Sequence, residues 1–383
     1  MSDNLQGPDR VEYWQALGRP FRKGLPENLR ASDARQLRLA LAHGSQDRAA
    51  AYLEYLHPLY LSMVSTGFEW ILRIRTIVAS RAGDDTGSKV RAAAFRPWHD
   101  AVAAVTEAPK EEAAGLLSEL FRPSGTSRDA PVDLPADPVR FSHPLLERLF
   151  ETPLKSYQST ANAIAARRLE EAGAAFESYL AQMRIRHDLL LLYVWAFTSA
   201  TLRIAGRAVA EEGLRRSLQE TYFYRPTVES VCKQLAPADL AACLAEHLRT
   251  HFSGPARDGE VEVVEEKDCY RLRASPCGSG GMMRRLLQAH PVEGFDAFGA
   301  PSPSTWGCHG VPAYCAHCAQ NEKFTYDLLG YPAWVTEFDP DPSRPCGWTI
   351  YKEPRLIPSR YFERLGAPRG APRGSLASGG TPA

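Results

Sequence analysis

No cysteine occurs in the first 231 residues of this 383-residue chain, yet eight lie between Cys232 and Cys346. Neither sign of charge is in excess, with 45 Lys and Arg against 45 Asp and Glu. That balance removes any overall electrostatic case for nucleic acid or an anionic membrane as a partner. Long hydrophobic runs are missing too. The longest, Leu189 to Leu202, has 14 residues and includes Thr198, Ser199 and Thr201, short of the roughly 20 a membrane-crossing helix needs. It reads as a buried core helix. The first ten residues have neither the basic nor the apolar region of a secretory signal, so the expected location is cytoplasmic. Thiols stay reduced there, which makes clustered cysteines metal ligands or catalysts before disulfides. Lysine is scarce (8 against 37 Arg), a bias that genome composition explains as readily as function. With 44% hydrophobic and 23% charged residues the chain is globular, and its length suits two or three domains.

Helical spacing dominates the first two-thirds. Leu37, Leu39 and Leu41 lead to a break at His43-Gly44, where Ser45 is placed to cap the next helix. Tyr52, Leu53, Tyr55, Leu56, Leu59, Tyr60 and Met63 recur at helical intervals, with Pro58 expected to kink or end that helix. Residues 81–89 read as a polar loop, 97–121 as a weak helix and 122–140 as a Pro/Ser/Asp-rich linker. From Ser159 to His251 the pattern is again helical. Six to eight helices and no strand are expected before residue 255. The periodicity changes at Gly259: Val261–Val264 and Cys269–Ala274 read as paired strands, Met282 as lying near a helix start, and 291–313 as irregular. Residues 316–329 fit a helix closed by Gly330, followed by a hairpin of Tyr331–Phe338 and Cys346–Lys352. The expected fold is therefore α+β. A helical N-terminal region (1–121) and a second helical region (141–258) precede a cysteine-rich antiparallel-sheet domain (259–356), and 366–383 form a disordered tail.

Cys315-Ala-His-Cys318 carries the strongest local chemistry, since a C-x-x-C turn lets two thiolates face one tetrahedral ion. Candidates to complete the site are Cys277, Cys308, His309, His317 and Cys346. Interleaved histidines, and spacings that match no ferredoxin pattern, favour zinc over an iron–sulfur cluster. Packing of small buried thiols and dithiol redox chemistry are the alternatives. Cys277-Gly-Ser-Gly-Gly281 has two readings. Cys277 is either a metal ligand on a glycine-rich turn or a nucleophile at a helix N-terminus, with His309 or His317 as its base. Arg284 or Arg285 could hold a substrate carboxylate. Cys243, His247 and His251 fall on one stripe of a helix, but Leu240, Leu244 and Leu248 beside them make that stripe the flank of a core face. Glu54-Tyr-Leu-His57 has di-iron spacing without a second copy in the chain.

The order of these features resembles the vinyl-reductase-type small-molecule-binding domain and the related L-2-amino-thiazoline-4-carboxylic acid hydrolase family. The resemblance runs over roughly residues 195–355. It rests on Asp268-Cys-Tyr-Arg-Leu-Arg, on Cys277 after a strand, on Cys315/Cys318 before a helix, and on Cys346-Gly-Trp-Thr-Ile opening the last strand. Ser343-Arg-Pro-Cys346-Gly-Trp348 stands where that family has a Gly-Asp-x-x-Cys-x-Phe-like strand, and it lacks the Gly-Asp. The resemblance implies a small-molecule pocket beside a zinc-type cysteine site, and favours Cys346 over Cys308 as a ligand. The expectation is a zinc-binding enzyme acting on a small organic molecule, with hydrolysis as the leading reaction class. Cys277, Cys315, Cys318 and Cys346 would be the ligands, His309 and His317 would transfer protons, and Arg284 and Arg285 would bind substrate. A small-molecule sensor with structural zinc and a metal-free Cys277 hydrolase are the alternatives. Neither nucleic acid nor membrane is expected as a partner.

Overall fold

The computed structural model describes residues 10–14, 19–23, 29, 31–104, 110–121, 144–220 and 231–366. The expected linker and all but the first residue of the expected tail lie outside these.

Helix α1 (Asp33–Ala42) starts where the Ser32 hydroxyl accepts the Arg35 N–H, filling an otherwise orphaned donor. It stops at Gly44, whose φ of +74° lets the next amides return to the carbonyls of Leu41 and Ala40. Ser45 precedes α2 (Gln46–Ala82) as expected, but its side chain makes no capping bond. Pro58 does not end α2, which continues to Ala82 and is 37 residues long in all. Losing one ladder bond costs about 3 kcal/mol, and burial of Leu56, Leu59 and Tyr60 on either side offsets it at roughly 1.5–3 kcal/mol per large apolar side chain. The expected loop at 81–89 is likewise corrected. Only Gly83 (φ +84°) interrupts the helix before α3 (Asp84–Ala104) begins, with Asp84 and Asp85 favourably placed in its first turn.

Helices α4 (Lys110–Phe121), α5 (Pro144–Ala165), α6 (Leu169–Ile204) and α7 (Arg207–Glu220) complete the main helical core. The Leu189–Leu202 run lies in the second half of α6, buried almost throughout. Phe121 and Tyr193 stack with ring centres 3.4 Å apart, and Trp98 donates to the Leu189 carbonyl at 2.9 Å. No helix among the described residues is long and apolar enough to cross a membrane. One hairpin went unexpected: β1 (Arg10–Trp14) pairs antiparallel with β2 (Arg19–Lys23). Their composition, Arg-Val-Glu-Tyr-Trp and Arg-Pro-Phe-Arg-Lys, offers little alternation to read.

Helix α8 (Pro237–Thr250) leads into the C-terminal sheet of β3 (Glu262–Glu265), β4 (Cys269–Ala274), β7 (Val335–Glu337) and β8 (Cys346–Tyr351). The sheet is antiparallel, in the order β3-β4-β8-β7. Between β4 and β7 lie α9 (Gly280–Ala289), the short pair β5 (Ala297–Phe298) and β6 (Val311–Pro312), and α10 (Ala316–Leu329). The α+β expectation holds, as do the strand pairs and the Gly330 stop at φ +81°. Leu240, Leu244 and Leu248 of α8 share a core with Leu272, Trp334, Trp348 and Ile350. Tyr314, Cys315 and Ala319 belong instead to the core of the long helices. The cysteine region thus lies at the seam of the two cores.

Candidate functional site

Three chain segments meet at that seam, and each is fixed by a local cause. Residues 276–281 fold against the end of α8. Gly254 N donates to the Pro276 carbonyl at 3.0 Å, and Gly278 N donates to Ser253 Oγ at 3.1 Å. A Cβ on Gly278 would lie 1.6 Å from the His251 carbonyl oxygen, so only glycine permits this approach. The turn then winds into α9, and the Gly281 N–H points at Cys277 Sγ, 2.9 Å away. The second segment is the C-x-x-C turn. Cys315 precedes α10, and the amides of His317 and Cys318 donate to the carbonyls of Tyr314 and Cys315. Gly280 abuts it closely, since a Cβ there would sit 2.6 Å from Cys315 Sγ. The third segment is the start of β8, where Cys346 pairs with Ala274.

All four expected metal ligands, Cys277, Cys315, Cys318 and Cys346, line one cavity of about 60 Å³. His247, His251 and His317 line it as well, and its apolar wall is formed by Trp306, Trp334, Phe338 and Trp348. The thiols surround the space without closing on a point. Among the described residues, no three His, Cys, Asp or Glu side chains form a group able to hold a metal ion. Burial pushes the Cys315 and Cys318 thiols far above their usual range, and the nearby sulfurs of Cys277 and Cys346 push them further. Burial, then Cys277, drives Cys346 up to about 12. Several thiolates so close in a low dielectric repel one another, so as it stands the site favours protonated thiols.

His317 sits against this group as expected. Its Nδ1 lies 2.6 Å from the Tyr314 carbonyl and its Nε2 lies 3.3 Å from Cys318 Sγ. A carbonyl can only accept, so Nδ1 carries the proton and Nε2 is free to accept the thiol S–H. Burial lowers the His317 pKa to about 4, which keeps the ring neutral. His309 is elsewhere: exposed, with Nδ1 on the Gly299 carbonyl, and outside the cavity lining. Cys308 is exposed and also outside it.

The arginines expected to bind substrate are engaged with backbone. Arg284 donates to the carbonyls of Asp339 and Pro340 and lies over the Phe338 ring. Arg285 donates to Pro342 and Ser343. Together they clamp the loop that delivers Cys346. Behind α10, buried Glu322 is held by Arg364 at 2.6 Å and accepts from Trp306 Nε1 and Thr336 N.

The α8 stripe was expected to flank a core face; His247 and His251 reach the cavity, which Leu244 and Leu248 also line while sharing the core. Sequence reasoning also passed over His187 and Asp188, which precede the apolar run of α6. Their side chains are buried, with His187 Nδ1 2.9 Å from Asp188 Oδ1 and Nε2 2.9 Å from His251 Nδ1. Two ionisable residues at the mouth of a 14-residue apolar helix segment were the available signal. Compared with protein-family models, curated proteins and solved structures, the chain finds no match.

Proposed function

We propose that the chain is a zinc-binding protein in which Cys277, Cys315, Cys318 and Cys346 hold the ion and the adjoining cavity receives a small organic molecule. One observation carries this reading: four cysteines from three separated segments line the same cavity. Packing alone gives no reason for such convergence, whereas soft sulfur donors are the set zinc selects. The ion would stabilise the thiolates that burial otherwise disfavours, releasing their protons on binding. The Gly281 N–H already donates to Cys277 Sγ and would remain on the sulfur of a bound ligand.

A shell of four thiolates has no open position, so the chemistry falls to the groups around it. The four aromatic side chains suit a flat, largely apolar molecule, and the three histidines supply polar contacts. Hydrolysis is the proposed reaction class; a sensor would share the same pocket without turnover. Metal analysis of the purified chain tests the zinc reading. One zinc per chain, lost in Cys318→Ser, supports it, and stoichiometric absence refutes it.

The hydrogen bond from Gly281 also favours a second reading, in which Cys277 is a nucleophile and no metal binds. Cys277→Ser separates the two readings. Loss of zinc marks a ligand, while metal-free wild-type protein that is alkylated selectively at Cys277 marks a nucleophile.

A further inference from the structure

Asp188, buried in α6, presents its carboxylate to Arg257, whose two terminal nitrogens lie 2.5 and 2.8 Å from its oxygens. Burial alone would raise its pKa, but Arg257 and then His187 outweigh it and hold the group at about 2. An ionised carboxylate only accepts, so the proton in the His187 contact is on Nδ1. A neutral His187 then has a bare Nε2, and the nitrogen facing it, His251 Nδ1, must bring the hydrogen. That leaves His251 Nε2 unprotonated. It has no hydrogen-bond partner among the described residues, and His251 lines the cavity.

We propose that Asp188, His187 and His251 form a chain that presents His251 Nε2 to the cavity as its proton acceptor, selecting ligands that bear an N–H or O–H group. In the transfer the ligand's N–H or O–H bond breaks, its electron pair stays on the ligand, and a new N–H bond forms at His251 Nε2. The Nδ1 proton of His251 passes to His187 Nε2. The positive charge comes to rest on His187 beside Asp188, which remains ionised throughout. His251 is the group that meets the ligand; His187 and Asp188 position it.

The surroundings fit this role. His251 faces His187, His247 and His317, and His187 faces Asp188 and Arg257. Burial lowers both rings; His247, His187 and His317 lower His251 further, whereas Asp188 opposes the shift at His187, so His251 is the more strongly lowered. The proton therefore moves inward, toward the carboxylate. Phe252 (φ +54°) and Arg257 (φ +58°) hold left-handed backbone although neither is glycine. Phe252 packs its ring edge-on against His187, 5.4 Å between centres, and Arg257 grips Asp188. Such conformations persist where surrounding contacts enforce them.

The chain shares the cavity with the proposed zinc site but does not need the ion. The test is long-range ¹H–¹⁵N NMR on the full chain labelled at histidine, with signals assigned by single His→Gln substitutions. Metal-free protein should show His251 protonated at Nδ1 and bare at Nε2. His187→Phe, which keeps a ring but removes the acceptor, should move the His251 proton to Nε2 while His309 stays unchanged. A wild-type His251 protonated at Nε2 overturns the proposal, as does an unchanged tautomer in the variant. If the variant fails to fold, the wild-type spectrum alone decides. Adding one equivalent of zinc should leave His251 Nε2 uncoordinated; a metal-bound signature makes it a ligand and ends the proton-acceptor role.

Discussion

Two Gly→Ala substitutions in helices should act with opposite sign, and the difference reports directly on the cysteine seam. Gly173 lies inside α6 with nothing within 4 Å of where its Cβ would be. Alanine there should stabilise the chain by about 0.5–1 kcal/mol, because it restricts the unfolded state and favours the helix. Gly280 starts α9 and would gain the same helical benefit. Its Cβ, however, would lie 2.6 Å from Cys315 Sγ, where ordinary contacts begin near 3.4 Å. The sulfur or the helix must therefore move by close to an ångström. Overpacking of this kind costs about 1–3 kcal/mol, leaving Gly280→Ala destabilising by about 0.5–2 kcal/mol after the helical gain. Urea unfolding with metal chelated measures both, through the shift in midpoint at unchanged slope. Zinc uptake should also fall in Gly280→Ala, since the sulfur that moves is a proposed ligand. Equal stabilisation by the two alanines would refute the close approach of α9 to the C-x-x-C turn.

Other outcomes follow from the buried charges. Asp188→Ala removes one partner of a buried ion pair and should destabilise by about 3 kcal/mol, read as a lower urea midpoint. In the wild type, the Asp188 pKa of about 2 lies below its ordinary 3.8. Its contribution, about 2 kcal/mol, should be fully present above pH 4 and lost as pH falls toward 2. Acid titration of wild type against Asp188→Ala should show that difference shrinking. Glu322→Ala strands Arg364 together with the Trp306 and Thr336 N–H groups, for a loss of about 3–5 kcal/mol in the same assay. Arg284→Ala frees the carbonyls of Asp339 and Pro340 and should raise hydrogen exchange across 339–345, leaving β3 and β4 protected.

What the sequence made legible is what local pattern controls. Glycine after a periodic run marked the ends of α1 and α10, and the switch to alternation at Val261 marked the sheet. A C-x-x-C turn implies missing partners, which nominated Cys277 beside Cys315 and Cys318, while the choice of Cys346 over Cys308 came from the family resemblance. Pro58 misled because its cost is local while the burial that offsets it comes from helices far along the chain. Arg284 and Arg285 misled for a similar reason: their carbonyl partners lie more than fifty residues away, in a loop with no motif. The link from His187 to His251 spans α6 and α8, and nothing in either segment announces the other. His309 followed Cys308 in sequence, yet the fold turns it out to solvent.

The most direct test of the central claim is the metal content of the purified full-length chain, set beside Cys277→Ser, Cys315→Ser, Cys318→Ser and Cys346→Ser. The account predicts one zinc per wild-type chain and its loss from each variant, with Cys308→Ser retaining it. Wild-type protein that is folded and free of stoichiometric metal, and that takes up none when zinc is added, would contradict it.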